Sequence, residues 1–278
     1  MFSMYVGGVN VKAEDLILAA QRLTENSPGN YVDGNAALNP KYVGMRIFEA
    51  PIFAFGSADD PLFTELQSST VVGKHFMMPH DWLKGATTVI SFFLPFTDCI
   101  KDANAKDFTW PAEEWLHGRI EGQLFVRELT VHLLTLLNEA GATALAPSLD
   151  TRMKSGIEGN RFTSNWSERH VAYLCGLGTF GLSRGIITAK GMAGRLSSIL
   201  TDLTFPYTSR PYNSYDAYCT KCGACISHCP VDAISMERGK EHKPCSDFLD
   251  EVRAKHEPRY GCGKCQVQVP CASQIPIR

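Results

Sequence analysis

The chain has 278 residues, 44% of them hydrophobic and 20% charged, with 27 Lys plus Arg against 29 Asp plus Glu for a formal charge of −2. So even a balance offers no basic face to neutralise phosphates, which argues against nucleic acid as a partner. No apolar run reaches the roughly 18 residues of a membrane span. Met1-Phe2-Ser3-Met4-Tyr5-Val6 also lacks the basic start and long apolar stretch of a signal peptide, so a cytoplasmic location is expected.

In chain order, Ala13 to Thr24 places Leu16, Ile17, Ala20 and Leu23 at helical spacing, predicting an amphipathic helix. Arg46 to Phe55 and Thr87 to Phe96 are short apolar runs bounded by Pro and Gly and read as buried strands. Glu113 to Ala140 carries the longest helical pattern, from Leu116 through Ile120, Leu124, Leu129, Leu133, Leu136 and Leu137, with Gly141 as its C-cap. Ala142 to Ala146 predicts a strand and Ser167 to Leu174 a helix. Ile186 to Thr188 and Leu196 to Leu203 predict further strands. Thr204 to Tyr218, rich in Pro, Tyr and Ser, reads as a linker. The expected organisation is an α/β domain over 1–210 that binds cofactor and substrate, then a cysteine-rich domain over 211–278.

Eight of the ten cysteines follow position 218, a clustering that suits metal ligands better than an evenly stapled secreted scaffold. Cys219-x2-Cys222-x2-Cys225-x3-Cys229-Pro230 is the full bacterial ferredoxin run. Its first three thiolates wrap one 4Fe-4S cluster, and the fourth turns to another. Cys245, Cys262, Cys265 and Cys271 form a looser second set. By the same cross-over logic, one cluster takes Cys219, Cys222, Cys225 and Cys271, and the other takes Cys229, Cys245, Cys262 and Cys265. The second set departs from the run, because five residues separate Cys265 from Cys271 and Pro270 precedes its cysteine. Zinc, which favours two Cys-x2-Cys pairs, suits this spacing poorly. Cys99 and Cys175 lie outside the pattern, and Cys175 reads as a buried structural residue.

Gly176-Leu177-Gly178-Thr179-Phe180-Gly181 matches the dinucleotide fingerprint by letters, yet the segment before it reads as a helix where that fingerprint needs a strand. The longer stretch Ser167 to Gly181, continued by Gly194-Arg195-Leu196-Ser197-Ser198-Ile199-Leu200-Thr201-Asp202-Leu203 and the uneven cysteine sets, resembles the epoxyqueuosine reductases and, beyond them, the reductive dehalogenases. The resemblance covers roughly residues 145 to 278. It implies a nitroreductase-like core holding base-off cobalamin beside one of two 4Fe-4S clusters, with Gly176, Gly178, Gly181 and Arg169 as cofactor-binding residues. It also implies a low-potential electron donor, a ferredoxin or flavodoxin.

Two departures bear on the substrate. Epoxyqueuosine reductases carry a helical-repeat tail used with tRNA, whereas seven residues follow Cys271 here. Their proton-donating Tyr-x-x-Gly-Arg-Asp-Tyr-His segment is matched nearest by Trp115 to Gly122, with Glu121 replacing the Asp after a one-residue shift. His117, Arg119 and Glu121, expected at the start of the long helix, become the candidate catalytic group. Asp150 and Glu168 are further acidic candidates with cap or loop roles open to them. Arg161, Trp166 and Arg169 are candidates to line a cofactor pocket, and His228 to tune a cluster. The leading expectation is a cobalamin-dependent iron–sulfur reductase of a small molecule. The alternatives are an electron carrier or a corrinoid-reducing partner without its own substrate, and epoxyqueuosine reduction in tRNA.

Overall fold

The computed structural model describes residues 11–158 and 161–277; Met1 to Val6 and the Arg161 side chain lie outside the described residues. Helix α1 (Ala13–Asn26) leads to strand β1 (Ile52–Ser57), one-turn helices α2 (Leu62–Glu65) and α3 (Pro79–Trp82), strand β2 (Thr88–Pro95) and helix α4 (Asp98–Ala105). The long helix α5 (Glu113–Glu139) is followed by β3 (Ala144–Leu145) and the pair β4 (Ser155–Glu158) and β5 (Arg161–Ser164). Next come α6 (Glu168–Cys175), the pair β6 (Gly178–Phe180) and β7 (Ile186–Thr188), and β8 (Gly194–Thr201). The cysteine-rich part adds α7 (Ala224–Ser227), β9 (Ile234–Ser235), β10 (Gly239–Lys240) and α8 (His242–His256).

The fold is mixed α/β around an antiparallel sheet of order β1-β2-β8-β3. Every residue of β2 is buried, as its unbroken apolar run requires of a central strand. Because alternate side chains face opposite ways, Ile90, Phe92 and Leu94 join the core under α1 and α5, whereas Val89 and Phe93 join the one under α6. The parallel sheet that a dinucleotide fingerprint needs is not this sheet, and Gly178 begins a strand of the β6–β7 hairpin after helix α6.

Two glycines inside α5 explain how it packs. A Cβ on Gly118 would lie 2.8 Å from Phe96 Cε1, and one on Gly122 would lie 2.9 Å from Phe48 Cζ. Each glycine costs a helix interior about 1 kcal/mol relative to Ala. The close approach seats the stacked Phe48 and Phe96 rings, 5.2 Å apart, directly under the helix. At the other end Gly141 has φ +85°, its N–H bonds Asn138 O, and Ala142 N–H reaches back to Leu137 O. That Schellman pattern closes α5 where the sequence places its cap.

The expected strand over Arg46 to Phe55 is a correction. Residues 46 and 48 make only single bridges, to Tyr31 and Phe96, and regular pairing begins at Ile52. Pro51 has no N–H to offer a ladder and breaks the run. The linker expected over Thr204 to Tyr218 has no regular structure but is firmly packed. Phe205 is buried, Thr208 N–H bonds Phe55 O, and Phe55 N–H bonds Thr208 Oγ1, so the segment covers the β1 edge. The cysteine-rich part is docked as closely: Lys264, fully buried, donates to Asn104 O, and Asn104 Nδ2 donates to Cys262 O. No helix among the described residues is long and apolar enough to cross a membrane.

Candidate metal centre and adjoining cavity

Left-handed backbone at Lys221 and Gly223 curls the first cysteine run, and Gly261 and Gly263 do the same on either side of Cys262. One hollow is lined by Cys219, Cys222, Cys225 and Cys271, with Gly181, Leu182 and Met192 as part of its wall. The four cysteines are the set that cross-over spacing assigns to one cluster. Among the described residues no three His, Cys, Asp or Glu close on a point as they would around one metal ion. The four thiols line the hollow, as ligands of a multi-iron core would.

Burial and the facing thiols of Cys265, Cys219 and Cys222 push Cys225 up to about 12. Burial with Cys225 and Cys219 does the same to Cys271. Thiols crowded this way do not ionise by themselves, and a cationic iron core is what would hold them as thiolates. In the second set, Cys262 faces Cys265 and Cys245, and burial pushes it up to about 12 as well. Cys229 Sγ accepts from Ala233 N–H at 3.2 Å. Lys240 Nζ lies 4.0 Å from Cys265 Sγ, and that neighbour is the main reason its pKa is raised.

Beside this second set lie several arginines. Arg169, at the start of α6, is solvent-exposed and lies within electrostatic reach of the thiols of Cys265 and Cys245. Arg195 on β8 faces Arg119 and Arg169, and burial pushes it down to about 9. Its Nη2 bonds Gln123 Oε1, while its Nε is buried without a partner. Arg169 and Arg195 are thus cationic side chains that could bind the polar groups of a cofactor.

The other sequence candidates have different surroundings. His117 is 0% exposed, accepts Leu38 N–H at Nε2 (3.2 Å) and shares Nδ1 with Glu121 Oε2 (2.9 Å), so neither ring nitrogen is open to a ligand. Glu121 also takes Arg259 Nη2 at 2.5 Å. It sits in the third turn of α5, beyond the first-turn reach of the macrodipole. Arg119 donates to Tyr260 OH at 2.6 Å and lies over that ring. The space beside each glycine of the Gly176–Gly181 segment is filled by protein: Ser209 O at Gly176, Ile187 O at Gly178, and Met192 and Ile187 at Gly181. Trp166 is core and bonds Ser198 Oγ, and His228 stacks on Phe108. Asp150 is bound by Arg152, which holds it at about 2. Cys175 is buried with its Sγ on Val89 O, and burial raises its pKa.

Sequence reasoning gave Glu168 only a minor part. Its two carboxyl oxygens are buried without hydrogen bonds, and burial pushes the group up to about 7, with the nearby Ser198 hydroxyl opposing. The Ser91 hydroxyl, buried without a partner, belongs to the residue paired with Ser198 across β2 and β8. The signal was a Glu beginning an apolar helix, which reads equally well as a cap.

Comparison with known proteins agrees with this arrangement. The 4Fe-4S binding domain family matches residues 216–235, which include the first four cysteines of the run. An epoxyqueuosine reductase of Vibrio cholerae serotype O1 (strain ATCC 39315 / El Tor Inaba N16961) is 31% identical over 121 residues, 40% of this chain and 32% of the relative. The chain thus spans about a third of the length of the curated relatives it matches. An epoxyqueuosine reductase solved with an epoxyqueuosine-modified tRNA-Tyr stem loop superposes with TM-score 0.50 at 21% identity, covering 82% of this chain and 63% of that one. A reductive dehalogenase described as performing B12-dependent dehalogenation gives TM-score 0.50 at 14% identity, covering 81% and 30%. These matches bear out the resemblance to epoxyqueuosine reductases and, in fold, to reductive dehalogenases.

Proposed function

We propose that this chain, a relative of epoxyqueuosine reductases with the fold of reductive dehalogenases, is an iron–sulfur oxidoreductase of a small molecule, with two 4Fe-4S clusters and a base-off cobalamin. The observation that carries this reading is that Cys219, Cys222 and Cys225 line one hollow with Cys271, which is distant in sequence.

Cys219, Cys222, Cys225 and Cys271 would hold one cluster, and Cys229, Cys245, Cys262 and Cys265 the other; the clusters supply one-electron transfer. The orphaned Arg195 Nε and the nearby Arg169 fit a group rich in amide and anionic oxygen. Cobalamin would supply a low-valent cobalt centre for the reduction. Lys240 places positive charge 4.0 Å from Cys265 Sγ, stabilising the more negative, reduced side of that redox couple. The exposed Cys222 marks the face nearest a low-potential ferredoxin or flavodoxin donor. The neutral overall charge supports a small substrate over tRNA.

Anaerobic reconstitution tests the reading. About eight iron and eight sulfide per chain are expected for two cubanes. After addition of hydroxocobalamin, desalting and one-electron reduction of Co(III) by a mild reductant, retained cobalt should give a Co(II) paramagnetic resonance signal without nitrogen superhyperfine splitting. Bound zinc without sulfide would refute the clusters. Iron and sulfide at the expected level with all corrinoid lost on desalting would replace this reading with that of an electron carrier.

A further inference from the structure

Lys264 stands in the chain between two cysteines of the second set, Cys262 and Cys265, and is 0% exposed. Its Nζ donates to Asn104 O at 2.8 Å and to Asn104 Oδ1 at 3.1 Å. Asn104, equally buried near the end of α4, is itself fixed in place. Its Nδ2 donates to Cys262 O at 2.9 Å, and its Oδ1 accepts Ala112 N–H at 3.0 Å. A second amine approaches the same cysteines from β10, where Lys240 Nζ lies 4.0 Å from Cys265 Sγ.

Among the described residues neither amine is ion-paired with a carboxylate. Asp107, an acid within electrostatic reach of Lys264, is exposed and accepts from Thr109. An ammonium held in the interior by neutral oxygens alone is costly unless negative charge completes it. A cubane on four thiolates is anionic, so the second cysteine set is the source of that charge. The first set differs. Lys221, inside its run, pairs with Asp216 at 3.2 Å at the surface, where water and salt screen it.

This asymmetry has a redox consequence. Reduction adds one negative charge to a cubane, and enclosure by protein makes that charge harder to accept. Cys265 is buried and Cys222 exposed, so enclosure by itself would make the second set the harder one to reduce. A cation fixed at the ligands, out of water, acts in the opposite sense and is little screened.

We infer that Lys264 and Lys240 set the reduction potential of a cluster on the second cysteine set above that of a cluster on the first. This deepens the reductase reading and rests on it for the two clusters. One electron from the ferredoxin or flavodoxin donor, arriving at the exposed Cys222 face, then settles at the second set, with no bond broken and no proton moved.

The test is an anaerobic potentiometric titration of the reconstituted full chain, followed by electron paramagnetic resonance and carried out without cobalamin. Two one-electron midpoints are expected. Lys264→Met and Lys240→Met, similar in length and uncharged, should each lower the higher midpoint and leave the lower one in place. The expected loss is at least tenfold in the equilibrium constant for reduction, about 59 mV for a one-electron couple. Iron near eight per chain in both variants shows that the clusters are intact. If Lys264→Met loses iron, Lys240→Met decides alone. A Lys264 that only anchors Asn104 would change the urea midpoint of unfolding and leave both potentials where they are. Unmoved potentials in the iron-replete variants, or a shift of the lower midpoint in place of the higher, overturn this inference and leave the two-cluster reading standing. Iron near four per chain in the wild type, or zinc without sulfide, overturns the two-cluster reading itself.

Discussion

Glu121 Oε1 accepts a hydrogen bond from Arg259 Nη2 at 2.5 Å, and both side chains are only 12% exposed. The pair joins the middle of α5 to the segment that leads into Cys262. Arg259 also donates to Ala36 O, so three distant parts of the chain meet at one guanidinium. Glu121→Ala would leave Arg259 and His117 without their shared acceptor, and a buried pair broken on one side costs about 3 kcal/mol or more. Urea unfolding of the holoprotein should show that loss. Unchanged stability with abolished turnover would instead restore Glu121 as a proton donor.

This pair also marks how far the sequence could be read. The helical spacing of α5 was legible, as were its Gly141 cap and the cysteine sets, because each depends on local chemistry or fixed spacing. Whether His117, Arg119 and Glu121 face a ligand or the rest of the protein depends on Leu38, Tyr260 and Arg259, which are remote in sequence. The same holds for Gly178, whose missing side chain makes room for Ile187 O across a hairpin. The break before Ile52 was missed although Pro51 announced it.

Gly263 places the second cysteine set. A Cβ there would fall 1.9 Å from Trp115 Cζ2, and the residue has φ +64°, which side chains adopt at a cost. Gly263→Ala should displace Cys262 and Cys265 and lower bound iron from about eight to about four per chain. Trimming the opposing ring in Gly263→Ala/Trp115→Leu should restore part of the iron. Full iron in the single variant would show that the loop adapts and that this contact does not position the ligands.

The exposed Cys222 lies in a shallow depression with Asp216, Lys221 and Ile277, and the exposed Tyr215 is a neighbour in sequence. An electron donor docking here would meet Lys221, which pairs with Asp216 at 3.2 Å at the surface. Lys221→Glu should slow reduction by an acidic ferredoxin by about tenfold at low salt, an effect that fades as salt screens it. Reduction by dithionite, which needs no docking face, should keep its rate. Equal slowing with both reductants would point to a damaged cluster in place of a lost docking charge.

Glu168 gives the fold a pH dependence of defined sign. Burial raises its carboxyl from 4.5 to about 7, and no cation faces its two orphaned oxygens. The folded state therefore holds a proton that the unfolded chain releases at lower pH. The associated stabilisation is complete below pH 4.5 and disappears as pH rises through 7. Between pH 6 and pH 8 the chain should lose about 1 kcal/mol from this group. Glu168→Gln, similar in shape and never ionised, should remove that slope and leave the protein more stable than wild type at pH 8. Urea midpoints of the anaerobic holoprotein at the two pH values measure the effect directly. A glutamine variant with the wild-type slope would assign the pH dependence to another group and return Glu168 to a purely packing role at the start of α6.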